Sequence, residues 1–116
     1  MADVFTQAGE ELVADDIEAA RTWYVGWGTG VDTADKTDTT LSTEASEARV
    51  SATMSQPSAD VNRFSATITA DGTKTITNAG VLSASTSGVL LLFSDFTGVA
   101  LTASDSIAFQ FDLTWS

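Results

Sequence analysis

The sequence predicts a mainly β protein, an antiparallel β-sandwich of about seven strands with one N-terminal α-helix. Three observations predict it. Helical periodicity is confined to the first segment, apolar and polar residues alternate with period two from Glu47 onward, and turn signals recur along the second half of the chain. The length of 116 residues suits a single domain over residues 1–116. A small closed barrel is the second expectation.

The helix is expected over about residues 7–21. Thr6 is a suitable N-cap, and Glu10 and Glu11 lie in the opening turns, where carboxylates favour the positive end of the helix dipole. The expected apolar stripe consists of Leu12, Val13, Ile17 and Ala20. An isolated helix of this length is marginal in water, so we expect it to lie on the surface of a sheet.

The strands are expected where β-branched and aromatic residues lie between turn signals. The predicted strands cover residues 23–28, 50–54, 64–70, 73–77, 79–84, 89–93 and 107–115, with 96–101 as a short connection or strand. Pro57 breaks the alternation, and Asp71-Gly72 predicts a hairpin between its two flanking strands. The apolar run at 89–93 is typical of a strand that is buried on both faces or covered by the helix.

A long acidic loop is expected over about residues 29–46, which are rich in Asp, Thr, Ser and Gly. Asp32, Asp35 and Asp38 recur at every third position, and such oxygen ligands suit Ca²⁺ or Mg²⁺. Their spacing does not match an EF-hand, and Lys36 would oppose a cation. The sequence therefore predicts a solvated loop, no metal site and no cofactor.

Charge and composition exclude several classes of function. The formal net charge is −11, and residues 1–47 contain eleven acids and two bases. Binding to nucleic acid is not expected, because phosphate contacts are made by Lys and Arg. With no His and no Cys, the usual activation of a Ser or Cys nucleophile is missing, so we expect no enzyme. The longest apolar run, residues 89–93, is too short to span a membrane.

Three glycines recur at alternate positions near the end of the first predicted strand. Gly26, Gly28 and Gly30 lack the spacing, the following helix and the Lys of a phosphate-binding loop, so they predict a tight bend at a strand end.

Strand alternation places Trp23 and Trp27 on one face, and core packing is expected for at least one of them. Exposed aromatic rings favour interfaces. The candidate partner contacts are therefore Trp23, Trp27, Trp115, Asp32, Asp35 and Asp38, and we expect no catalytic residues.

Several segments together resemble a known group of proteins. They are residues 5–9 (FTQAG) before an acidic amphipathic helix, 24–30 (YVGWGTG), 38–44 (DTTLSTE), 47–50 (EARV) and 74–81 (KTITNAGV). In this pattern the chain resembles small virion structural proteins of tailed phages and archaeal tailed viruses. The resemblance covers most of the chain and contains no catalytic signature.

The resemblance implies a non-enzymatic virion protein. The leading expectation is a capsid decoration or cement protein that binds the outer head surface and stabilises the shell. Its partners would be the major capsid protein and copies of itself, with a trimer implied by analogy. It would be made in the host cytoplasm and located on the head exterior, away from nucleic acid and membrane. The alternatives are a tail, baseplate or fibre component, and a carbohydrate-binding adhesion module with tryptophans as stacking residues.

Overall fold

The computed structural model describes residues 3–31 and 33–115, with the backbone alone at Ala20. These residues form one helix and seven strands in two antiparallel sheets, which confirms the mainly β prediction. The elements are, in chain order, α1 (Gln7–Ala20), β1 (Tyr24–Gly28), β2 (Val50–Ser51), β3 (Thr53–Ser58), β4 (Val61–Thr69), β5 (Lys74–Leu82), β6 (Leu90–Leu101) and β7 (Ser106–Thr114).

At one pair of edges the two sheets are joined by a nearly continuous strand. The first sheet has the strand order β2-β1-β5-β6, and the second has the order β3-β4-β7. β2 and β3 are separated only by Ala52, whose N–H donates to the carbonyl oxygen of Trp23 at 2.7 Å, so the chain passes from one sheet to the other there. On the opposite side β6 and β7 are edge strands, and no strand of the described chain pairs with their outer edges. The sheets thus form a sandwich and not a closed barrel.

The core lies between the two sheets and is crossed by aromatic contacts. Trp27, Phe64 and Val25 are at most 1% exposed. The ring of Trp23 meets that of Phe64 edge-on at 6.0 Å, and the ring of Trp27 meets that of Phe109 at 6.1 Å. Burial of each such side chain contributes about 1.5–3 kcal/mol, so these contacts are the main force that holds one sheet against the other.

The helix begins at the predicted cap, and its buried face matches the predicted stripe only in part. Ile17 packs against the core and Val13 is half-buried, whereas Leu12 is exposed. The side chain of Ala20, the fourth predicted member, lies outside the described part of the chain. The hydroxyl of Thr6 accepts a hydrogen bond from the N–H of Gly9 at 3.0 Å, as expected for an N-cap. Leu12 is 61% exposed, whereas Ala14 is fully buried. The small Ala14 lets α1 approach β4 closely, and its carbonyl oxygen accepts a hydrogen bond from the buried amide of Asn62 at 2.9 Å.

The hairpin predicted at Asp71-Gly72 is wrong. β4 pairs with β3 and β7, whereas β5 pairs with β1 and β6, so these two residues connect different sheets. The strands predicted at 73–77 and 79–84 are one continuous strand, β5. Asn78 in its middle does not end the strand, because its side chain is buried by hydrogen bonds to the loop.

Two further strand predictions need correction. The run at 89–93 is not buried on both faces, because β6 is an edge strand whose first residues are only partly buried, and Val89 before it is 69% exposed. Residues 96–101 belong to the same strand. Pro57 lies inside β3, at a register shift between Ser55 and Ser58. An edge strand tolerates proline there because no neighbour needs its missing N–H.

Candidate interaction site

The acidic loop packs closely against the outer face of the first sheet, where three glycines leave room for it. Leu41 is 5% exposed and packs over Gly26 and Gly80, where a Cβ atom would come within 2.9 Å and 3.1 Å of its methyl groups. At Gly28 a Cβ atom would lie 2.3 Å from the carbonyl oxygen of Ser42. Gly26 and Gly28 have no positive φ. β1 ends at Gly28, as predicted, and the chain bends at Gly30. Gly26 and Gly28 also allow the loop backbone to approach the strand.

Hydrogen bonds close the base of the loop. The N–H groups of Thr29 and Gly30 donate to the carbonyl oxygens of Thr43 and Ser42, both at 3.0 Å. The buried amide of Asn78 accepts from the Ser42 N–H at 3.1 Å and donates to the Ser42 carbonyl oxygen at 3.0 Å. The two ends of the loop are thus held together on β5, and its middle projects from that base.

Glu47, just after the loop, is held by three donors. Its carboxylate accepts hydrogen bonds from the indole of Trp27 and the N–H of Asp71, both at 2.9 Å, and forms an ion pair with Lys74. Burial alone raises the pKa of the Glu47 carboxyl group, but the hydrogen bonds from Lys74, Asp71 and Trp27 outweigh it and lower the pKa to about 2. The carboxylate therefore stays charged and joins the end of the loop to the β4–β5 connection.

Arg49 fixes the same segment at its other side. Its guanidinium group binds the carboxylate of Glu44 through two nitrogens, at 2.7 Å and 2.8 Å. A third nitrogen donates to the carbonyl oxygens of Ala84 and Ser87, at 2.9 Å and 2.8 Å. Only 8% of the Arg49 side chain is exposed. The sequence pattern did not reveal this site, and the only signal is a Glu and an Arg five positions apart.

The tip of the loop is a turn that its own aspartates hold together. The carboxylate of Asp35 accepts from the N–H and hydroxyl of Thr37, both at 2.8 Å, and these hydrogen bonds lower its pKa. The carboxylate of Asp38 accepts from the Asp35 N–H at 2.8 Å. The third predicted member, Asp32, lies outside the described residues. Within the described residues, no group of three or more acidic side chains is arranged to hold a metal ion.

The predicted aromatic contacts are mostly in the core. Trp27 is 1% exposed and Trp23 is 8% exposed, and both belong to the core, as expected for at least one of them. Trp27 therefore cannot serve as a contact residue, which corrects its assignment. Trp23 reaches the surface only where it lines a second groove, of about 390 Å³, beside the helix. Trp115 is half-buried, with its ring 6.2 Å from that of Phe5, and its indole donates to Asn62 at 3.2 Å. Of the three tryptophans, Trp115 is the most accessible.

A groove of about 360 Å³ separates the loop tip from the first residues of β6. One wall consists of Ala34, Asp35, Lys36 and Asp38, and the other consists of Leu90, Leu91, Leu92 and Phe93. The Ala34 N–H donates to the carboxylate of Asp95 at 3.1 Å and ties the loop wall to the strand. The structure therefore brings Asp35 and Asp38, two of the predicted contact residues, together with an unpaired strand edge.

We expect a negative electrostatic potential around this site, because most of the basic side chains contact other groups outside it. Arg49, Arg63 and Lys74 each form an ion pair with a carboxylate. Arg21 lies over the ring of Trp23 at 5.6 Å. The acids of the helix and the loop thus dominate the net charge of −11.

Comparison of the chain with protein-family models and with curated protein sequences finds no match. The helix of the described residues is not long and apolar enough to cross a membrane.

Proposed function

We propose that this protein is a non-enzymatic structural component of a tailed-virus particle, a capsid decoration protein that binds the outer head surface and stabilises the shell. The observation that carries the proposal is the acidic loop, which Leu41, Asn78 and Arg49 hold in place beside the unpaired edge of β6. A binding surface that is already ordered loses little conformational entropy on association. Such a surface suits a small protein whose task is to bridge neighbouring subunits.

The charge distribution supports a position outside the head. Because Arg49, Arg63 and Lys74 are engaged in ion pairs, the protein has little positive charge with which to bind packaged DNA. The two predicted contact residues at the loop tip, Asp35 and Asp38, use their carboxylates to hold a turn, which is a structural task.

Copy number tests the proposal. Quantitative mass spectrometry of purified particles should find hundreds of copies of this protein, in a fixed ratio to the major shell subunit. A handful of copies per particle would contradict decoration and favour a tail, baseplate or fibre component. Glycan binding that Trp115→Ala abolishes would instead favour the carbohydrate-binding alternative.

A further inference from the structure

The outer edge of β6 is not paired with any strand of the described residues. An unpaired edge presents a row of N–H and C=O groups that a second extended chain can bind. Between Leu92 and Asp95 the strand keeps an uninterrupted register with β5, while register shifts occur on either side of this stretch. The regular part of the edge is therefore short and suits a segment of about four residues.

The groove beside this edge has one apolar and one acidic wall. Leu90, Leu91, Leu92 and Phe93 form the apolar wall. Near the opposite wall, the carboxylates of Asp35, Asp38 and Asp95 each accept hydrogen bonds from the chain's own groups. A carboxylate offers about four acceptor sites, so each of the three retains capacity for a cationic donor. Lys36 is the single base that lines the groove.

We propose that this groove binds a short extended segment of a partner protein, with Lys or Arg side chains beside apolar ones, as an added strand on β6. The basic side chains would meet the carboxylates of Asp35, Asp38 and Asp95, and the apolar ones would cover the leucines of β6. The source of the segment, a shell subunit, follows from the proposed function, and the inference rests on that function in this respect. The chemistry of the segment follows from charge complementarity with the groove.

A second copy of this chain fits the groove less well than a basic partner. β6 contains no Lys or Arg, and its one charged residue is Asp95. Pairing of two β6 strands would therefore bring no cation to the acidic wall. It would also bring together two chains that each have a net charge of −11.

Binding of a synthetic peptide tests the proposal. The probe is a capped hexapeptide of alternating lysine and valine, and its matched control has glutamate in place of lysine. We expect the lysine peptide to slow hydrogen exchange, measured by NMR, at those amides of Leu92–Asp95 that point away from β5. We also expect it to bind at least about tenfold more tightly than the glutamate peptide. Equal affinities, or no protection of these amides, would overturn the proposal.

Two variants separate groove binding from general attraction to an acidic protein. Ala34→Trp fills the groove, whereas Thr40→Trp places the same side chain on an exposed part of the loop that does not line it. We expect Ala34→Trp alone to weaken binding of the lysine peptide, and equal binding by both variants would contradict the site. Self-association that Ala34→Trp abolishes would overturn it in favour of a second copy. Copy number on the particle tests the proposed function independently of these results.

Discussion

The indole nitrogen of Trp27 donates a 2.9 Å hydrogen bond to the carboxylate of Glu47. Trp27 is 1% exposed, so the bond joins the centre of the sandwich to the end of the acidic loop. The same carboxylate also holds Lys74 and the N–H of Asp71. Folding of the core and positioning of the loop therefore depend on one another through Glu47.

We predict that Glu47 makes stability depend on pH below the ordinary pKa of a Glu residue. Its pKa is lowered from 4.5 to about 2 in the folded protein. Its contribution is therefore fully present above about pH 4.5 and is lost as the pH falls towards 2. This contribution amounts to roughly 3 kcal/mol, because each pKa unit corresponds to about 1.4 kcal/mol. Urea unfolding at a series of pH values measures it.

Glu47→Gln is the variant that isolates this effect. It keeps an oxygen acceptor for Trp27 but removes the charge that binds Lys74. The difference in unfolding free energy between the wild type and the variant should shrink between pH 4.5 and about 2. A difference that stays constant over this range would show that Trp27, Asp71 and Lys74 do not lower the pKa of the Glu47 carboxyl group.

Alanine at Gly28 should destabilise the protein, and alanine at Gly72 should not. A Cβ atom at Gly28 would lie 2.3 Å from the carbonyl oxygen of Ser42, whereas nothing lies within 4 Å of one at Gly72. We expect a loss at the upper end of about 1–3 kcal/mol for Gly28→Ala. For Gly72→Ala we expect a change within about 0.5 kcal/mol. Thermal unfolding measures the stability of both variants. Equal melting temperatures would show that the loop does not need the space at Gly28.

Removal of Arg49 should cost more stability than removal of Arg63. Arg49 is 8% exposed in its side chain and binds both Glu44 and two backbone carbonyl oxygens. Arg63 is 33% exposed and binds Asp112 on the outer face of the second sheet. We expect Arg49→Met to lose about 2–4 kcal/mol of unfolding free energy and Arg63→Met to lose clearly less, because water screens an exposed ion pair. Chemical denaturation measures both, and similar losses would refute the distinction.

The last strand supplies a test of the core. Phe111 is 9% exposed and stacks against Phe109 at a ring distance of 6.0 Å, whereas Phe109 is only partly buried. We expect Phe111→Ala to lose about 3–5 kcal/mol of unfolding free energy, and Phe109→Ala somewhat less. Losses below about 1 kcal/mol in both variants would show that β7 does not close the core.

The sequence predicted which segments form strands better than it predicted which strands pair with one another. Alternation reveals that residues such as Phe109 and Phe111 share a face, because it depends on local geometry alone. It does not reveal which strands pair. Asp71-Gly72 has the residues of a tight hairpin, yet the chain changes sheets there because β4 and β5 bury their apolar faces on opposite sides of the core. Such a choice depends on contacts between residues distant in sequence.

The site was only partly predictable from the sequence. The recurrence of aspartate at every third position of the loop predicts Asp35 and Asp38 as contact residues, and the structure places both beside the β6 groove. The anchors of the loop were missed because each joins distant positions, as Asn78 does with Ser42 and Arg49 with Ala84. The tryptophans were ambiguous, since a large ring in a strand suits a core and an interface equally.

The central claim is that the loop tip and the edge of β6 face the viral shell. Image reconstruction of the intact particle, with this subunit located in the density, tests it most directly. We predict a subunit on the outer head surface with the groove between Ala34 and Leu92 in contact with a shell subunit. A subunit in the tail or inside the head, or one whose β6 edge is open to solvent, would contradict the account.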